Sequence, residues 1–336
     1  MGKKTNTLAA DPAERHGGGI GAFLKDHVYD ITAYAGLIAV LILFIIFNKD
    51  RLAYNFSSAL QAAATYSIIA LGAVFVYFMG YMDVSIGQQV GVYCILMIMI
   101  SNAIGGIPGV IVGFLVVLAI ALLCGAFNGF VAVWLGLPSI VTSLFLMFFF
   151  TGAQVLLMES TGLNSLPLKQ KIKPAGNLYS VMLVVLIVVI ALLVTYFFKF
   201  TKLGKYTRGI GANETTVKQS GVNTTKWKVL AYMAMGACVA IGSFVVLTRT
   251  GSAGKGTGTG YAMDIMICLI LGGMPLSGGM KSKVSSALVG TFTYVLLSFD
   301  LTAMGVGLEL INFVKAIIFI ANIVVTCRKR TGVLPR

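Results

Sequence analysis

Residues 199–228 read KFTKLGKYTRGIGANETTVKQSGVNTTKWK. Seven Lys/Arg stand there against one acid, Glu214, and long apolar runs flank both ends. Basic segments of this kind stay on the cytoplasmic side while their flanking helices insert. The stretch therefore predicts two membrane-spanning helices, one on either side of it, and fixes which way they run. It is also longer than a connector needs: Gly211 and Gly221 bracket a spacing with room for two helical turns.

The rest of the chain agrees with a membrane setting. Of its 336 residues 58% are hydrophobic and 11% charged, with mean hydropathy +0.93. A soluble domain carries about 25% charged residues. A spanning helix needs ~20 apolar residues, and ten such segments are expected, near 31–48, 57–80, 84–101, 109–135, 138–157, 179–198, 228–248, 262–275, 284–299 and 308–326. The fold class is thus all-α, a polytopic membrane protein of about ten transmembrane helices. A tail of 1–30 precedes the permeation domain 31–326, within which 199–227 is cytoplasmic, and a second tail follows at 327–336.

Charge orients the bundle. With both tails inside, the inner loops and tails hold seventeen of the 25 Lys/Arg and the outer loops seven, Lys315 lying inside the last segment. That bias follows the positive-inside rule. The formal charge of +14 is therefore spread over loops between apolar spans, where its partners are lipid headgroups and acidic protein surfaces, not nucleic acid.

Composition also excludes several chemistries. Cys94, Cys124, Cys238 and Cys268 lie in apolar runs, and with Cys327 they form no C-x-x-C pair; they read as small packing residues. His16 and His27, the two histidines, precede the first span, so neither an intramembrane metal site nor a Ser-His-Asp arrangement is expected. Acids and bases mix before Ile31, unlike a cleavable signal peptide. The glycine-rich run 251–260 departs from the phosphate-loop spacing around Lys255. No nucleotide site and no cofactor are expected in this chain.

Two expected spans, 84–101 and 262–275, are short, flanked by glycines, and similarly placed in the two halves. Paired broken helices are a sign of repeat architecture with a site near the midplane, so two pseudo-symmetric halves are expected. Gly80-Tyr-Met-Asp-Val-Ser-Ile-Gly87 places Asp83 and Ser85 at the first break. Asp83 has two compatible roles there, capping the next helix and lining the mouth of a path. Gly125-Ala-Phe-Asn-Gly129 spaces small residues for close helix packing, with Asn128 as a hydrogen bonder between helices. Asp264, Asp300 and Glu309 sit within a few residues of expected helix ends. Lys315 lies about 10 Å into its helix by helical rise and is expected to snorkel or to pair with Glu309 or Asp300.

Four stretches in order are similar to those of permease subunits of the ribose-type (simple-sugar) ATP-binding-cassette importers, from about Ser57 to Val325. Gly80 to Gly87 resembles that family's Gly-Gly-Ile-Asp-Leu-Ser-Val-Gly. Gly125 to Gly129 with Leu137-Pro-Ser-Ile-Val-Thr142 resembles its Gly-x-x-Asn-Gly and Pro-Ser-Phe-Ile segments. Gly211-Ala-Asn-Glu214 and Ser220-Gly-Val-Asn223 resemble its cytoplasmic Gly-x-Asn-Glu and Ser-Gly-Ile-Asn. Gly258-Thr-Gly-Tyr261, Asp264 and Leu271-Gly-Gly through Leu276-Ser-Gly-Gly279 resemble its second-half signature. The chain departs at Ala262, Thr151, Tyr81, Gln88 and Met280 to Ser286, a pattern that would suit one half of a heterodimer.

The resemblance implies a non-enzymatic permease of the bacterial cytoplasmic membrane, importing a monosaccharide such as ribose. Nucleosides, a sugar-like signal molecule or branched-chain amino acids are the alternative cargoes, and a self-sufficient ion-coupled carrier is the rival class. Cytosolic ATPase subunits, which would hold ATP and Mg, an external solute-binding protein and a second permease copy or paralogue are the implied partners. Gly211, Asn213, Glu214, Ser220, Gly221 and Asn223 would form the ATPase-coupling segment. Asp83, Ser85, Gly87, Asn128, Gly260, Tyr261, Asp264, Gly272, Gly273, Gly278 and Gly279 would shape the path and its helix breaks.

Overall fold

The computed structural model describes residues 28–170, 172–174, 178–274 and 283–326; Gly278, Gly279 and most of both tails lie outside them. Ten apolar helices coincide one for one with the ten expected spans. They are α1 (Val28–Phe47), α2 (Leu52–Tyr77), α3 (Ile86–Ile104), α4 (Gly106–Trp134), α5 (Ser139–Thr161), α6 (Leu178–Phe200), α8 (Thr224–Thr250), α9 (Tyr261–Leu271), α10 (Val284–Ala303) and α11 (Leu308–Thr326). Seven of the described helices, α2 to α6, α8 and α10, are long and apolar enough to cross a membrane. The chain is a multi-pass, all-α membrane protein.

The basic segment is not an open loop. It forms α7, Lys202–Gln219, which is far more helix than the two turns expected. The reason is amphipathicity: Leu203, Thr207 and Ile210 recur at i, i+4 and i+7 and turn inward, while Lys202, Lys205 and Lys218 face out. Asn213 breaks the helical backbone (φ −164°, ψ 105°), and its Oδ1 accepts from the Thr216 amide at 3.2 Å, restarting the helix. Gly221, at φ +78°, ends it in the left-handed region.

Burial separates inner from outer helices. In the most apolar 18-residue window 83% of α2 is buried within the protein, against 22% of α5. α3, α8 and α10 side with α2; α4 and α6 side with α5, and Phe145, Phe149, Leu115 and Leu192 point outward from these outer helices. Lipid tails are as apolar as leucine, so helices associate in a bilayer through close packing more than through burial itself. The α4–α8 contact is of that kind: Gly125 and Gly129 lie against the backbone of Val229, Tyr232 and Met233, and Gly236 against the Ala121 carbonyl. A side chain at any of these glycines would meet backbone.

The contacts repeat across two halves. α3 packs on α4, α5 and α8, and α9 packs in the same way on α10, α11 and α2; α4 lies on α8 as α10 lies on α2. α2 ends beside α7 where α8 begins, so the two sets run in opposite directions. In an inverted repeat the two helix breaks enter the bundle from opposite ends. At the end of the bundle away from α7, β1 (Ser165–Pro167) pairs antiparallel with β2 (Ser252–Gly254) and Asn102 holds the Pro167 carbonyl at 2.9 Å. From β2 the chain dips inward over Gly254–Gly260 to α9, with Gln154 donating to the Gly254 and Thr257 carbonyls at 2.9 and 3.1 Å.

Candidate functional site

The two helix breaks meet. Gly87, in the first turn of α3, and Gly258, just before α9, approach so closely that a methyl group on either would strike the other's carbonyl. Gly91 presses on the Thr257 carbonyl in the same way. Gly260 (φ +87°) then turns the chain into α9, and Gly272 lies against the Ser286 carbonyl where α9 meets α10. Gly273 (φ +86°) follows α9. Tyr261 opens α9 and packs on Tyr66 with ring centroids 5.1 Å apart.

Asp83 is buried at the first break, 8% exposed. Its Oδ1 accepts from the Ser85 amide at 2.8 Å and the Ser85 hydroxyl at 2.5 Å, and its Oδ2 accepts from Asn128 at 2.7 Å. The capping role expected for it is thus shifted by one place: the carboxylate bonds to Ser85, the residue that precedes α3, rather than to the first turn. The positive end of the α3 dipole favours the negative charge there. From Ser85 the bonds continue along α3, with Gln89 donating to Ser85 Oγ at 2.7 Å and Tyr93 to Gln89 Oε1 at 3.2 Å. Ser139 and Ser143 of α5 accept from the Met82 and Val84 amides at 3.1 and 3.2 Å.

A cavity of about 160 Å³ opens beside this loop, bounded by Tyr77, Asp83, Met235, Met263 and Met266 among others. It is apolar apart from Asp83 and the tyrosines.

Tyr81 joins the loop to α7. Its hydroxyl donates to Glu214 Oε2 at 3.2 Å, and Glu214 in turn takes Lys228 on both oxygens at 2.8 Å and Lys218 at 2.9 Å. Lys228 is buried and also lies over the Tyr81 ring, 5.0 Å from its centre. Partial burial works against ionisation of Glu214, but the hydrogen bonds and charges of the two lysines outweigh it and hold the carboxyl down at about 2. The Lys218 ammonium is held above its usual value by its hydrogen bond to Glu214. Of the other expected coupling residues, Gly211 and Asn213 lie on α7 near Glu214, Ser220 and Gly221 close it, and Asn223 caps α8 by accepting from the Lys226 amide at 3.1 Å.

One of the pairings expected for Lys315 is not formed, and the depth expected for Asp264 needs correction. Lys315 does not reach Asp300; it donates to the Tyr294 hydroxyl at 2.8 Å, while Asp300 accepts from Asn48 at 3.4 Å, and the Glu309 side chain lies outside the described set. Asp264 is near the start of α9 in sequence but not near the membrane edge: Tyr66, from the middle of α2, donates to its Oδ2 at 3.2 Å. α9 begins inside the bundle, so distance from a helix end does not measure depth here. Sequence reasoning also passed over Tyr66, Gln89, Tyr93, Ser139, Ser143 and Lys228 as site residues. Tyr81 carried a signal, as a large side chain where the resembling permeases have a small one.

The sequence pattern defining the family "branched-chain amino acid transport system / permease component" matches residues 55–323. The chain belongs to that family. This permease is 26% identical over 306 residues to the autoinducer 2 import system permease protein of Escherichia coli O157:H7, covering 90% of this chain and 87% of that one. It is 25% identical over 288 residues to the ribose import permease protein of Escherichia coli K12, covering 82% and 86%. No solved structure matches it. The permease is a transport subunit, and its described residues hold no group of three or more His, Cys, Asp or Glu side chains arranged to bind a metal ion.

Proposed function

We propose that this permease is the membrane-spanning subunit of a binding-protein-dependent, ATP-driven importer of a monosaccharide such as ribose, in the bacterial cytoplasmic membrane. The observation that carries the reading is the hydrogen bond from Tyr81, two residues before Asp83 at the first helix break, to Glu214 of α7. α7 presents Lys202, Lys205 and Lys218 outward, a surface suited to docking a separate ATPase, which would hold ATP and Mg. Both tails and α7 then lie in the cytoplasm, in line with the positive-inside bias. The β1–β2 end faces an external solute-binding protein, and a second copy or paralogue completes the path. An ATPase can drive transport only through contacts that differ between two permease conformations. The Tyr81–Glu214 contact is placed to be one of them.

Purification from native membranes followed by mass spectrometry tests the partners. An ATPase and a binding protein are expected in the eluate; repeated recovery of the permease alone would count against an ATP-driven importer. Deletion of 211–223 is expected to uncouple the ATPase from solute, and an unchanged response would defeat the coupling role.

The autoinducer 2 permease relative supports a second cargo, a sugar-like signal molecule. Ligand-dependent melting of the co-purified binding protein separates the two.

A further inference from the structure

At the end of the bundle away from α7, two cations share one pocket. A cavity of about 450 Å³ opens where the chain runs from β1 towards α6, beside the last turn of α8. Lys173 and Arg249 stand on its wall with Gln170, Leu168, Ile172 and Leu247. Neutral hydrogen bonds hold that wall in place. The Leu168 amide donates to the Gly251 carbonyl at 2.9 Å, and the Tyr179 hydroxyl and Thr248 Oγ1 lie 2.9 Å apart. Lys173 donates to Gln61 Oε1 at 3.3 Å and lies over the Tyr179 ring, 5.0 Å from its centre.

No acid answers these two charges. Lys255, at the same end, pairs with Glu159 at 3.3 Å, whereas neither Lys173 nor Arg249 forms an ion pair among the described residues. Arg249 is half-buried, and a cation drawn partly out of water without a counter-charge is costly. Like charges on one pocket also repel, and an anion between them turns that repulsion into attraction. The guanidinium fork suits two oxygens of one group, and the ammonium adds a point charge.

Position and size narrow the anion. α6 begins at Leu178 and exposes Leu178, Val181 and Met182 from its first turns. The pocket thus sits where lipid-facing helix gives way to polar loop, which is the level of phospholipid headgroups. Its volume is many times the ~30 Å³ share of one water. Leu168, Ile172 and Leu247 give it an apolar side, which suits the glycerol and ester carbons that follow a lipid phosphate. We propose that Lys173 and Arg249 form a site for the phosphate of a net-anionic ligand, either a phospholipid headgroup or free phosphate. This goes beyond the importer reading and does not depend on it.

The test melts the full-length permease, with whatever subunits co-purify, in uncharged detergent with phosphatidylglycerol, phosphatidylcholine or inorganic phosphate added. Phosphatidylglycerol should raise the melting temperature by about 3 °C or more over phosphatidylcholine, as a ligand well above its dissociation constant does when it binds the folded state alone. Lys173→Gln with Arg249→Gln should lose most of that difference and melt like wild type in phosphatidylcholine. Arg249→Lys should keep part of it, and carries the comparison if the double variant does not fold. Lys255→Gln removes a cation from the same end but outside the pocket, and should keep all of it. A rise with phosphatidylglycerol alone supports the site and makes a lipid its source. An equal rise with inorganic phosphate, lost in the double variant, supports it and makes the free anion the source. No rise with either in wild type overturns the site, as does the same rise in the double variant or an equal loss in Lys255→Gln, which marks general surface charge. Weaker capture of the binding protein by the double variant, with no anion effect in wild type, also overturns it and gives the two cations to a protein carboxylate.

Discussion

The Tyr81 hydroxyl lies 3.2 Å from Glu214 Oε2, joining the loop before α3 to the basic helix α7 across 133 residues of sequence. Both residues share a third partner, since Lys228 bonds to Glu214 and covers the Tyr81 ring. A shift of α7 therefore cannot leave the loop unmoved without breaking one of these contacts. Tyr81→Phe removes the hydroxyl and keeps the ring under Lys228. It is expected to lower solute moved per ATP in the reconstituted complex by several-fold, with melting temperature nearly unchanged. Equal coupling in the variant would show that α7 acts by another route.

Lys228 is buried, and Glu214 is its acidic partner. Removing one member of a buried pair strands the other, at a cost of ~3–5 kcal/mol when both are fully enclosed. Glu214 is partly exposed, so Glu214→Ala should cost less, about 2 kcal/mol. The double variant Glu214→Gln with Lys228→Met should be more stable than Glu214→Ala. Thermal melting in detergent reads both.

Acid should release the same cluster. Glu214 sits at about 2 in the folded protein against 4.5 for the free side chain. A depressed folded value gives stability that is complete above the unfolded value and lost as pH falls through the folded one. The melting difference between wild type and Glu214→Gln should stay level from pH 8 to about 5 and shrink from there towards about 2. A difference that changes between pH 8 and 6 would show that another group is titrating.

Asp83 accepts from Ser85 and Asn128 in a buried site. Asp83→Ala leaves the Asn128 amide without that acceptor, a loss of about 1–3 kcal/mol. Asn128→Ala in the Asp83→Ala background should add little, because the bond is already gone. A full additive cost in a melting series would contradict the coupling.

Glycines provide a paired test. A methyl at Gly236 meets the Ala121 carbonyl, while at Gly152 it meets nothing within 4 Å. Gly152→Ala should be neutral or stabilising by up to about 1 kcal/mol, through helix propensity. Gly236→Ala should destabilise by about 1–3 kcal/mol, as overpacking does. Melting of the two variants side by side decides it.

Ten helices were legible in the sequence because each is an apolar run, and an apolar run inside a bilayer must hydrogen-bond its own backbone. The Gly125–Gly129 contact was legible for a similar reason, since small residues four apart have few other uses in an apolar helix. The helical character of 199–227 was only partly visible, because Leu203 and Ile210 are too few to stand out among so many charges. The paired breaks were visible as short segments, and the repeated packing of α3 and α9 bears out the two halves.

The sequence by itself determined the class of the protein, the positions of its helices, the family motifs and the basic character of the segment that became α7. These depend on composition and on spacing along a single helix, which a chain states locally. Tertiary structure decided which of the polar residues meet. It set Glu214 against Tyr81, set Lys315 on the Tyr294 hydroxyl, and carried Asp264 from an apparent helix end to the middle of the bundle. Those outcomes depend on how far a broken helix dips into the membrane and on which neighbours it finds there, and that depth follows from packing between distant segments.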